Sequence, residues 1–139
     1  MNAIYTTTAR THGGRNGHVE TIDGLLKLDL AMPEELGGQG GAINPEQLFA
    51  SGYAACFESA LRHVARLKKI PLKDASMTAT VSLYPTPEQG FKLGVELHAH
   101  LEGLNQADAE ALAAKAHEVC PYSNAVRGNI EVQLKVTAK

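Results

Sequence analysis

The chain has 139 residues, 44% hydrophobic and 20% charged, with a formal net charge of −2. That length predicts one domain, residues 1–139, with a core of its own. The balanced charge gives no basis for nucleic acid or an anionic membrane as partner, and no run reaches the roughly 18 apolar residues of a membrane span. The start, MNAIYTTTARTHGGR, lacks an apolar signal core, which points to the cytoplasm.

In chain order, residues 3–11 are rich in β-favouring Thr, Ile and Tyr and predict a first strand. Asp23-Gly24 then separates two strand-like runs and reads as a hairpin turn. After it Leu26, Leu28 and Leu30 alternate with Lys27 and Asp29, the pattern of a half-buried strand. The loop 37-GGQGG-41 has no trailing Lys-Ser/Thr and does not fit a phosphate-binding loop.

Asn44 is placed to cap a helix with Pro45 at its first position and Glu46 beside the positive dipole end. The helical pattern runs to about Lys69, and Pro71 stops it. Its first half is apolar nearly all round, through Leu48, Phe49, Tyr53, Ala54, Ala55, Phe57 and Leu61. Such a helix needs burial on every side, and a homodimer with these helices at its centre would supply it.

Two strands with alternating apolar residues follow at 76–84 and 91–101. Asn105 caps a second helix that ends near Cys120, because Pro121 cannot continue it. A last strand covers 130–136. The order is βββ-α-ββ-α-β, which predicts an α+β fold.

Two cysteines, Cys56 in the apolar helix and Cys120 before Pro121, are the main candidates for chemistry. In a reducing compartment a permanent staple is disfavoured. Cys56 by itself reads as a small buried hydrophobe. Reactivity would need a cation or a helix N-terminus to lower its thiol pKa. Arg15, in 13-GGRNG-17, is a candidate cation, and Glu46 is a candidate second partner to aim it. In an unbroken helix Glu46 and Cys56 lie about 15 Å apart. A break near Ser51-Gly52 would shorten that span and put Cys56 near a new helix start, so a kink is predicted there. Cys120 reads either as a packed helix-end residue or as a resolving thiol.

His98 and His100 fall on the polar side of an alternating strand and read as a solvated face. His63 is two helical turns from Cys56, about 10 Å, too far for a thiol–imidazole dyad. Two lone cysteines without clustered histidines make a poor zinc site, so no metal is expected.

The run 44-NPEQLFASGYAACFESAL-61, with 13-GGRNG-17 before it and 120-CPYSNA-125 after it, resembles the organic hydroperoxide resistance proteins. These belong to a larger family with the osmotically inducible protein C group, and the resemblance covers essentially the whole chain. It implies two antiparallel-rich sheets wrapped around central helices in an intertwined homodimer. It implies a thiol peroxidase with no bound cofactor. Cys56 matches the peroxidatic cysteine and Cys120 the resolving one. Arg15 matches the arginine that activates the thiolate, and Glu46 the carboxylate that holds that arginine. The implied substrates are organic hydroperoxides, including those of fatty acids. The implied external reductant is a dihydrolipoyl dithiol on lipoylated partner proteins. Tyr122 matches a site neighbour, and Phe49, Tyr53 and Phe57 are candidates to line the substrate pocket, although their spacing equally suits core. Asn16 stands where the family pattern carries Asp, and Ser51 replaces a common Ala. Two other readings stay open: a small-molecule or lipid-binding module with incidental cysteines, and a thiol hydrolase using Cys56.

Overall fold

A computed structural model describes residues 1–139. The chain forms two compact units, Met1–Leu48 and Phe49–Lys139. The first holds a three-stranded antiparallel sheet in the order β1-β2-β3, with β1 Ala9–His12, β2 His18–Thr21 and β3 Lys27–Asp29. β1 is shorter than the 3–11 expected. Residues 1–8 are exposed and outside any strand, with Thr8 C=O still accepting from Ile22 N–H at 2.9 Å at the end of the ladder. The β2–β3 turn is also wider than the two-residue hairpin read from Asp23-Gly24. Thr21 N–H bonds to Leu26 C=O, Gly24 takes the positive φ, and the Asp23 carboxylate accepts from Thr21 Oγ1 and the Leu25 N–H. Asp23 thus serves as a local acceptor.

Helix α1, Pro45–Leu67, opens on a reciprocal cap: Gln47 N–H donates to Asn44 Oδ1, and Asn44 N–H donates to Gln47 Oε1. It closes before Pro71 is reached. Lys69 adopts a left-handed φ of 55°, Ile70 N–H bonds back to Ala65 C=O, and Lys69 N–H bonds to Arg66 C=O, a Schellman ending.

The second unit carries a sheet of β4 Asp74–Pro85, β5 Phe91–Glu102 and β6 Val132–Ala138, with β5 central, antiparallel to β4 and parallel to β6. Asn105 Oδ1 caps α2, Gln106–Val119, through Asp108 N–H. The expected element order holds, with one addition: Pro121 ends α2 and starts a short helix, α3 Pro121–Val126. The turn after α3 bonds the Asn129 and Ile130 N–H groups to Val126 C=O, which delays β6 to Val132.

Alternation on β5 buries Val95, Leu97, Ala99 and Leu101 on one face. They share a core with Tyr53, Phe57, Leu61 and Val64 of α1 and Ala109, Leu112, Ala113 and Ala116 of α2. The architecture is α+β, as the element order predicts. In the first unit Leu30 alone is buried. No helix is long and apolar enough to cross a membrane.

Candidate active site

α1 is unbroken from Pro45 to Leu67, which overturns the kink predicted at Ser51-Gly52. Gly52 has a packing role instead. A Cβ at this position would lie 2.6 Å from the Tyr122 hydroxyl and 3.1 Å from its ring carbons. The glycine costs helix propensity of about 1 kcal/mol and makes room for a tyrosine presented by α3. Gly52→Ala is therefore expected to evict the Tyr122 ring and to cost about 1–3 kcal/mol of stability. The chain has four tyrosines and no tryptophan. Near-ultraviolet circular dichroism should register the change while the far-ultraviolet helix signal persists. Identical near-ultraviolet spectra would show that the ring has room to slide.

Tyr122 closes a trio of rings. Phe49 meets Tyr53 edge-on at 6.0 Å between centroids, and Tyr122 lies 6.2 Å from Phe49 and 5.7 Å from Tyr53. Tyr53 and Phe57 are fully buried, Phe49 is half-buried, and Tyr122 is exposed at its rim.

The cysteines, 64 positions apart, face each other with 3.5 Å between sulfurs, and Cys120 donates to Cys56. Both are free thiols, Cys120 fully buried and Cys56 half-buried. Cys120 ends α2 in extended conformation and is also the N-cap of α3. Because α1 is continuous, Cys56 gains nothing from a helix start. Burial pushes its thiol pKa up, the Tyr122 backbone N–H opposes that, and the adjacent Cys120 sulfur adds to the rise. No cation is among these causes.

The first unit holds the other pair. Arg15 forks onto Glu46, Nη1 to Oε2 at 2.8 Å and Nη2 to Oε1 at 2.6 Å. Hydrogen bonding to Arg15 holds the Glu46 carboxyl below its usual range. Arg15 lies on a turn that needs left-handed backbone at Gly13 and Gly14. Asn16 Oδ1 anchors that turn by accepting from Met32 N–H at 3.2 Å, and an aspartate there would present the same acceptor atom.

Two residues, Ser123 and His117, escaped the sequence reading. Ser123 is the one polar residue in the buried set, and its hydroxyl bonds Tyr53 Oη at 2.7 Å and His117 Nδ1 at 2.7 Å. The available signal was the three-residue spacing His117–Cys120–Ser123 around a helix end. His98 and His100 stack at 4.0 Å on the outer face of β5, with His98 bonded to Thr137. No group of three or more His, Cys, Asp or Glu residues could hold a metal ion.

Two facing thiols, one on a long helix and one at a breakable helix junction, define an α+β dithiol protein. The OsmC-like protein family model matches residues 38–135, and the chain belongs to that family. The organic hydroperoxide resistance protein-like 2 of Staphylococcus epidermidis is 48% identical over 140 residues, covering 99% of both chains. The organic hydroperoxide resistance protein OhrA of Bacillus subtilis is 48% identical over 136 residues, 96% of each chain. Among solved structures, an organic hydroperoxide resistance protein from Legionella pneumophila matches with a TM-score of 0.96 and 76% identity, covering 98% of this chain and 99% of that one.

Proposed function

We propose that the chain is a thiol peroxidase that reduces organic hydroperoxides, fatty-acid hydroperoxides among them, to alcohols. The observation that carries this reading is the 3.5 Å separation of two free thiols beside a trio of aromatic rings. The names of relatives at 43–48% identity agree with it.

The Cys56 thiolate attacks the outer oxygen of ROOH. An S–O bond forms, the O–O bond breaks, and the alkoxide leaves as the alcohol after taking a proton. The Cys120 sulfur then attacks the sulfenic sulfur. The S–S bond forms, the S–O bond breaks, and hydroxide departs as water with the thiol proton. An external dihydrolipoyl dithiol reopens the disulfide through a mixed disulfide. Burial opposes the thiolate, so the reading needs a cation. In this reading Arg15 supplies it, aimed by Glu46; because the unbroken α1 sets Glu46 about 15 Å from Cys56 of the same chain, the pair that serves a given Cys56 is that of a second copy.

The reading includes a homodimer in the cytoplasm. The first unit buries only Leu30 and leaves Ile4, Tyr5, Ile22, Leu25 and Leu36 exposed. In this reading a second copy of the chain covers part of this exposed apolar surface. The reading includes no bound cofactor.

The test is consumption of cumene or tert-butyl hydroperoxide by purified protein with dihydrolipoamide. Steady turnover is expected. Absence of turnover with every dithiol tried, despite intact Cys56 and Cys120, would reject the reading in favour of a small-molecule-binding module.

A further inference from the structure

Ser123 is fully buried and is the only polar residue of the chain in that class. It lies on α3, three positions after Cys120. Its hydroxyl joins three elements: Tyr53 of α1, 70 positions away, and His117 of α2, both at 2.7 Å. We propose that Ser123 is a positioning residue for the resolving cysteine, holding the α2–α3 junction against α1 so that the Cys120 sulfur faces Cys56. This rests on the peroxidase reading for its biological use, but not for its geometry.

Proton bookkeeping gives the bridge a direction. Tyr53 is fully buried and Ser123 is its hydrogen-bond partner. Each hydroxyl has one proton to donate. If Ser123 donated to Tyr53, the tyrosine proton would be stranded in the core. All three groups are satisfied when Tyr53 donates to Ser123 and Ser123 donates to His117 Nδ1. His117 is then neutral, with its proton on Nε2. Burial of the ring, aided by the nearby Arg127 charge, favours that neutral form. Arg127 reinforces the junction by donating to the His117 carbonyl of α2 and to Asn124 Oδ1 of α3.

The bridge matters because disulfide closure is a geometric event. The sulfurs stand 3.5 Å apart, at near-attack distance, and must approach to about 2.05 Å in a restricted orientation. Cys120 is the hinge between α2 and α3, so anything that fixes α3 fixes the approach. In the resolving step the Cys120 S–H bond and the sulfenic S–O bond break, the S–S bond forms, and water leaves. Ser123 takes no part in that exchange of atoms.

The test measures the two half-steps separately. Reduced protein is mixed with tert-butyl hydroperoxide in single turnover. Dimedone trapping and mass spectrometry follow sulfenic acid, disulfide and sulfinic acid. A parallel series closes the disulfide with diamide, a peroxide-independent oxidant that accepts the two electrons and two protons the dithiol releases. For Ser123→Ala, first oxidation of Cys56 should keep its wild-type rate. Closure should slow about tenfold in both series, with more dimedone adduct and more sulfinic acid per turnover. His117→Leu should behave like Ser123→Ala. His117→Asn, which keeps an acceptor near the Nδ1 position, should recover fast closure.

If Ser123→Ala fails to fold, the two His117 variants decide the matter. A lower melting temperature with wild-type closure in both series would reduce Ser123 to ordinary packing and overturn the proposal. Loss of fast diamide closure in a protein whose wild type consumes no peroxide would reject the peroxidase reading while supporting the positioning role.

Discussion

Cys56→Ser is expected to abolish hydroperoxide consumption, and Cys120→Ser to leave the first oxidation intact while destroying sustained turnover. The two sulfurs are alike in chemistry but not in placement. Cys56 is half-buried on α1, receives the Tyr122 backbone N–H, and lies beside a ring trio whose Tyr122 reaches solvent. Cys120 is fully buried at the α2–α3 junction, so it meets the peroxide poorly and meets Cys56 well. A serine hydroxyl at 56 is a far weaker nucleophile at neutral pH than a thiolate. Loss should therefore reach the assay background, at least about a thousandfold. With Cys120→Ser the sulfenic acid has no internal thiol and advances to sulfinic acid. Mass spectrometry after graded peroxide should show two added oxygens on Cys56 in that variant and an internal disulfide in wild type. Steady turnover equal to wild type in both variants would remove the dithiol mechanism.

Arg15→Ala is expected to slow Cys56 oxidation about a hundredfold, and Arg15→Lys to restore little of it. Burial raises the Cys56 thiol pKa and none of the groups acting on it is a cation, so in our reading the charge has to come from Arg15. A lysine keeps the charge but cannot reproduce the two-point fork on Glu46. The readout is the pH dependence of Cys56 alkylation together with the peroxide rate. Unchanged values in Arg15→Ala would withdraw the role. The same ion pair carries a stability signature. Glu46 has a folded-state pKa below its ordinary 4.5, so it stabilises the fold above that value and loses the contribution as pH falls through the lower one. With Arg15 35% exposed, solvent screening limits the effect to about 0.5–1 kcal/mol. Glu46→Gln should thus melt earlier than wild type at pH 7, with the gap closing in acid.

Local chemistry was readable along the chain. Asn44 and Asn105 cap the helices they were assigned, Pro121 ends α2, and alternation from Val95 to Leu101 marks the buried face of β5. Capping, imino geometry and period-two alternation are decided by neighbours within a few positions, so the sequence carries them directly. The α+β order follows from the same signals. The cysteines, Arg15 and Glu46 were singled out by residue type and by resemblance, which names candidates without placing their atoms.

What the sequence could not settle is what depends on distant residues meeting. Gly52 read as a helix break by its own propensity. Only Tyr122, brought in by α3, turns it into a gap filled from outside in a continuous helix. Ser123 read as one more residue of CPYSNA. Tyr53, 70 positions away, and His117 make its hydroxyl a buried bridge. The cysteines were two thiols separated by 64 positions until packing of α1, α2 and α3 set their sulfurs 3.5 Å apart. Local periodicity determined which elements form. Their packing decided which side chains share a site, because contacts across such separations arise only when the core closes.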